Sequence, residues 1–183
     1  GYLPIRLDVM AGIGALAVGI QETQDSFTAY APNENKAIVH KGPQRVQLNF
    51  GRPVPFSLRD FSSLMRGRFH EVFGAAEGLN PRALPNGDIA FTLSGGILPG
   101  MLELRPDGLP VRWSAEKGWV MDITYDDGNP PLPYKFKLTH PDGYSAILLV
   151  KDRQKPNAAF RDDQLALELP AGTIIEPIKK GGN

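Results

Sequence analysis

Residues 119–150, WVMDITYDDGNPPLPYKFKLTHPDGYSAILLV, decide the fold class. Trp119, Met121, Ile123 and Tyr125 alternate with Val120, Asp122, Thr124 and Asp126. Tyr134, Phe136 and Leu138 alternate in the same way with Lys135, Lys137 and Thr139. Successive side chains of an extended backbone point to opposite faces, so a period of two gives each segment one apolar side and one wet side. Asp126-Asp127-Gly128-Asn129-Pro130 and Pro141-Asp142-Gly143 separate the segments, and these residue types favour tight turns. Consecutive antiparallel strands follow, the last over residues 146–150.

The same pattern runs outward from this stretch. Ile89, Phe91 and Leu93 alternate with Ala90, Thr92 and Ser94, and residues 101–105 and 111–114 flank the turn Pro106-Asp107-Gly108. Nearer the start, residues 3–10 and 15–21 read as a hairpin about Gly12-Ile13-Gly14. Residues 27–31 and 36–41 read as another about Pro32-Asn33-Glu34-Asn35. Residues 44–50 are expected to form a short helix. A clearer helix begins at Ser57, whose hydroxyl and the Asp60 carboxylate have capping-box spacing. Leu58, Phe61, Leu64 and Met65 then share one face, and Gly67 is a natural stop. Residues 69–76 extend that helix or form a second. One amphipathic helix cannot cover a large sheet. The expected fold is therefore mainly β (α+β): an unclosed antiparallel barrel, a strongly curved sheet with a short helical lid, in a single domain over residues 1–183.

Composition narrows the function. Lys plus Arg equals Asp plus Glu at 20 each in 183 residues, and no polybasic tract is present. That balance argues against nucleic acid, whose binders need a basic stripe, and against electrostatic attachment to anionic lipid. The chain has no Cys, so it has no disulfide, thiolate metal site or Cys nucleophile. The apolar run 9–20 is too short to span a bilayer, which takes roughly 20 residues. A signal-peptide core has that length, but Asp8 before the run and Gln21-Glu22-Thr23 after it fit buried strands better.

Motifs for catalysis are missing. His40, His70 and His140 are scattered without ligand spacing, and Asp122, Asp126 and Asp127 lack the spacing of a calcium loop. Gly95-Gly96-Ile97-Leu98-Pro99-Gly100 is not followed by the Lys-Ser/Thr of a phosphate loop. No catalytic residue, metal ligand or cofactor is expected, and the chain is expected not to be an enzyme. A hydrolase site assembled from distant residues such as His70 and Asp122 is the rival of another class. What remains is apolar: Phe56, Phe61, Leu64, Met65, Phe91, Trp113, Trp119, Met121 and Phe136 are the candidate walls and lid of an interior. A packed core is the plain alternative for each.

Several motifs together resemble a known family. Arg6-Leu7-Asp8-Val9 followed by Gly12-Ile13-Gly14 is similar to the strand and exposed turn of the LolB outer-membrane lipoprotein receptors. Gly51-Arg52-Pro53-Val54-Pro55-Phe56-Ser57-Leu58, with Phe61, Leu64-Met65 and Arg66-Gly67, resembles the family's Gly-x-Pro-x-Pro segment and following helix. Leu104-Arg105-Pro106-Asp107-Gly108-Leu109-Pro110, Gly118-Trp119-Val120 and Leu132-Pro133-Tyr134-Lys135 look like its later strands. The tail from Phe160 through Leu165-Ala166-Leu167-Glu168-Leu169-Pro170 looks more like LolA. Against the family, the opening starts inside the barrel, as if one or two N-terminal strands precede it.

The resemblance implies a function. A LolB-like protein holds the acyl chains of lipoproteins or other lipid in a hydrophobic cavity and delivers them to the outer membrane of a Gram-negative bacterium. Its implied partners are acylated cargo, a periplasmic LolA-like carrier and the inner leaflet of that membrane. The implied location is the periplasmic face of the outer membrane, with a lipid anchor and a monomeric state. Ile13 occupies the position of the family's membrane-inserting turn residue, although Gly12 stands where the family has Pro. A binder of apolar ligands without a transfer role, and a protein-interaction module, are the alternatives.

Overall fold

The computed structural model describes residues 3–10, 12, 14–49, 53–74, 80–94, 98–116 and 118–178, and the chain is mainly β. In chain order the strands are β1 (Ile5–Met10), β2 (Leu16–Glu22), β3 (Ser26–Ala31), β4 (Lys36–Lys41), β5 (Gln47–Asn49) and β6 (Pro53–Ser57). Two helices follow, α1 (Leu58–Met65) and α2 (His70–Phe73). Next come β7 (Pro81–Ala83), β8 (Ile89–Leu93), β9 (Gly100–Leu104), β10 (Pro110–Ser114), β11 (Val120–Tyr125), β12 (Pro133–Thr139) and β13 (Ser145–Leu149). Helix α3 (Asp162–Leu165) and β14 (Ile174–Pro177) complete the chain. Two compact units result, residues 1–59 with 155–183, and residues 60–154.

Residues 60–154 carry the alternation quoted above, and it becomes a seven-stranded meander in the order β13-β12-β11-β10-β9-β8-β7. Register places Phe91 opposite Leu102, Leu102 opposite Trp113, Trp113 opposite Met121, and Met121 opposite Leu138. Directly opposed residues share a face, so these side chains form one apolar row across five strands. Ile123 and Phe136 begin the neighbouring row. The other face carries Arg112, Asp122, Lys135 and Lys137, and Arg112 pairs with Asp122 at 3.3 Å. Gly100 sits where any side chain would collide with the Ser114 carbonyl, 2.2 Å from a Cβ, so β9 can approach β10 only with glycine there. Ser63 Oγ in α1 donates to Glu71 Oε2 in α2 at 2.6 Å. Helix α1 stops as expected: Gly67 adopts φ 72° and its N–H donates to the Leu64 carbonyl.

Residues 1–59 with 155–183 hold a five-stranded sheet in the order β1-β2-β3-β4-β14. The first four strands are an antiparallel meander, while β14 joins β4 in parallel, placing Ile174 beside Lys36. Asn35 is left-handed at the turn into β4 and its amide donates to the Gly172 carbonyl, which ties the returning tail to that corner. The end of α3 and the residue after it are bonded to the sheet, by Gln21 Nε2 to the Leu165 carbonyl at 2.9 Å and by Arg6 to the Ala166 carbonyl. The β5–β6 hairpin forms a separate two-stranded ladder.

Three expectations change. Among the described residues the strands form three sheets, none of which closes on itself, in place of one curled sheet. Alternation marks the buried face of a strand but not its neighbour. Residues 47–49 are a strand, not part of a helix: Gln47 pairs with Ser57 and Asn49 with Pro53. Pairing across the hairpin outweighs local propensity in so short a segment. The second helix covers only His70–Phe73, and the end of its expected span lies outside the described residues.

Candidate functional site

An apolar cavity of about 520 Å³ lies on one face of the five-stranded sheet. Its lining begins with Val9 of β1, Val18 and Ile20 of β2, Phe27 and Ala29 of β3, and Ile38 of β4. The register explains why these converge. Val9 opposes Val18, Ile20 opposes Ala29, Ala29 opposes Ile38, and Ile38 opposes Glu176 of β14. All therefore emerge on one face. Residues 46–49 supply a further wall, and Pro177 with Ile178 supply the last.

Ile20, Phe27 and Leu48 are buried, whereas Ile38, Gln47, Asn49 and Pro177 are exposed. Small Ala29 lies between Ile20 and Ile38 and leaves the space open. Gln47, Asn49 and Glu176 are the hydrophilic members of the lining. Glu176 accepts an ion pair from Lys36 Nζ at 2.8 Å, and this bond holds the Lys36 ammonium above its usual value. On the same sheet face, Glu22 is buried and paired with Arg59 of α1, whose Nη2 also donates to the Thr23 carbonyl at 2.9 Å.

The residues singled out from the sequence lie elsewhere. None of Phe56, Phe61, Leu64, Met65, Phe91, Trp113, Trp119, Met121 or Phe136 lines this cavity. Phe56 of β6, Leu64 of α1, Trp113, Met121 and Phe136 are buried; Phe61, Met65, Phe91 and Trp119 are half-buried. The seven-stranded sheet brings Phe91, Trp113, Met121 and Phe136 onto one face. Trp119 instead meets His140 and Tyr144, with ring centroids 5.0 and 5.7 Å away. Ile13 lies outside the described residues. The alternation of Val18 with Ile20, and of Phe27 with Ala29, signals one face of two strands but not that this face bounds a cavity.

The described residues contain no cluster of His, Asp and Glu fit to hold a metal ion, and no helix among them is long and apolar enough to cross a membrane. His40 lies in β4, His70 opens α2, and His140 Nδ1 is 3.3 Å from Asp142 Oδ2 in a turn. Asp126 belongs to a turn, where backbone N–H groups of Leu132 and Gly128 bond its carboxylate and lower its pKa. No family model matches the sequence, and no curated protein matches it either.

Proposed function

We propose that this chain binds acyl-chain-like apolar ligands in the cavity on its five-stranded sheet, and that it takes part in lipoprotein transfer to the bacterial outer membrane. The cavity carries the first half of the proposal. Its volume of about 520 Å³ falls within the roughly 300–1,000 Å³ of small-molecule sites, and its lining is mostly aliphatic with a few polar groups at the exposed side. Each buried methylene is worth about 0.8 kcal/mol, so a long chain gains on the order of 10 kcal/mol by leaving water. No catalytic group is needed.

The transfer role rests on the motif likeness to LolB. In this reading the chain works on the periplasmic side of the outer membrane. It accepts acylated cargo from a LolA-like carrier and releases it to the inner leaflet. Passage requires only a downhill series of affinities, each tenfold step about 1.4 kcal/mol.

Two measurements test the halves separately. A solvatochromic apolar dye is expected to bind the folded protein and to be displaced by long-chain lipids; no binding by folded protein refutes the cavity. A fluorescent acylated protein loaded on a carrier is expected to reach outer-membrane-like vesicles faster when this chain is present. Dye binding without accelerated delivery reduces the role to ligand binding alone.

A further inference from the structure

We infer that β13 is an interface at which two copies of this chain pair, strand against antiparallel strand, about a twofold axis at Ile147. The two edges of the seven-stranded sheet differ in kind. Strand β7 is only Pro81-Arg82-Ala83, and its shortness, its proline and its charge are the usual guards against a further strand. Strand β13 has none of them. Ser145-Ala146-Ile147-Leu148-Leu149 carries no charge and no proline, and Ile147 and Leu149 are 58% and 50% exposed. Together with Tyr134 of the adjoining β12, they are the exposed large apolar side chains among the described residues of 60–154.

The backbone supplies the register. The Val150 N–H donates to the Tyr134 carbonyl and the His140 N–H to the Tyr144 carbonyl, so the even-numbered residues of this stretch bond to β12. Backbone groups alternate in direction along an antiparallel strand, so those of Ser145, Ile147 and Leu149 point away from the sheet. A twofold axis at Ile147 sets Ile147 against itself and Ser145 against Leu149 of the second copy. Each such pair exchanges two N–H···O bonds, and every outward group of β13 is used. The same axis gathers the exposed aliphatic side chains of both copies on one face.

The charges suit a second copy. Lys137 lies opposite Ile147 and Lys135 opposite Leu149, each one strand inside the edge. The Lys137 side chains of the two copies stay three strand spacings apart, about 14 Å, beyond the roughly 8 Å over which charge acts in physiological salt. Past the ladder, exposed Lys151 comes opposite Gly143 of the second copy, beside its Asp142, so opposite charges meet at both ends. Pairing closes at two, because the guarded β7 ends the joined sheet on both sides. The family likeness implies a monomer, and this edge departs from it. The rival occupant is a strand of another protein, for which the uncharged edge offers no distinguishing mark.

The test is sedimentation of the full chain from about 1 to about 500 µM. A five-residue ladder falls below the roughly 1,200 Å² of a standard interface, so the dimer should be weak, with a Kd on the order of 30 µM. Ile147→Lys should raise that Kd at least tenfold without moving the unfolding midpoint, because the side chain it replaces is already in water. Ser145→Pro should do the same by removing an outward N–H and no bond to β12. The chain has no Cys, so Ile147→Cys carries a single thiol. A short bismaleimide should link it into dimers, while Thr92→Cys on β8 stays monomeric under the same treatment. Dimers that both substitutions weaken, linked through residue 147 and not through residue 92, support the inference. A chain that stays monomeric throughout the range overturns it and leaves the edge to a foreign strand; dimers that folded Ile147→Lys and Ser145→Pro leave intact also overturn it. Where either variant fails to fold, equal linking yields at 147 and 92 are the contrary result. Ligand binding is read separately by dye titration and stands whichever way the pairing falls.

Discussion

Ala29→Trp is the substitution whose outcome follows most closely from the geometry. Ala29 lies at the middle of the cavity floor, opposite Ile20 on β2 and Ile38 on β4. An indole adds nine closely bonded ring atoms, which take up about as much room as five methylenes of a chain. Each methylene excluded forfeits about 0.8 kcal/mol, so the full loss is on the order of 4 kcal/mol. Adjustment of the half-exposed rim recovers part of it, and a fall in affinity of at least about a hundredfold, near 2.7 kcal/mol, is the expected result. Stability should change by less than about 1.5 kcal/mol, because the ring enters space already present and does not wedge a packed core apart. Dye titration gives the first quantity and urea unfolding the second. A folded Ala29→Trp protein with parental affinity refutes ligand binding at this site; a large loss of stability shows that the space is not open.

Other consequences concern the second unit. Leu64 is 1% exposed, so Leu64→Glu should destabilise by at least about 3 kcal/mol, through lost packing plus a buried carboxyl, as measured by chemical denaturation. A soluble variant of parental stability would contradict the burial of α1. The Ser63 hydroxyl bonded to Glu71, aided by Arg68, holds the Glu71 pKa below the usual glutamate value. Since the folded value is depressed, the stabilisation is present above the ordinary glutamate range near pH 4.3 and disappears as pH falls through the folded pKa. Carboxyl NMR should show Glu71 titrating below its ordinary value and moving up in Ser63→Ala; identical titration in both proteins would refute the assignment.

The strands of the second unit were the most legible part of the fold. Met121, Ile123, Phe136 and Leu138 alternate cleanly, and the turns Pro106-Asp107-Gly108 and Pro141-Asp142-Gly143 divide them into neighbours. There, sequence order and sheet order coincide, so local signals suffice. They do not suffice for β14, whose partner β4 lies far back in the chain and runs parallel to it. Nor do they suffice for Gln47–Asn49, three residues that become a strand only by pairing with β6. The large apolar side chains at Trp113, Met121 and Phe136 mark a wide apolar face, and that face is buried. The cavity instead depends on what is small. Ala29 between two isoleucines leaves a gap, and a gap appears only once β2, β3 and β4 are placed in register.

The most direct measurement is methyl NMR of the isotope-labelled protein with a long-chain ligand such as hexadecanol. Nuclear Overhauser contacts from the chain to the methyls of Val18, Ile20, Ile38 and Leu48 are predicted. Contacts confined to Leu102, Met121 or Leu138, or no contacts at all, would contradict a binding site on the five-stranded sheet.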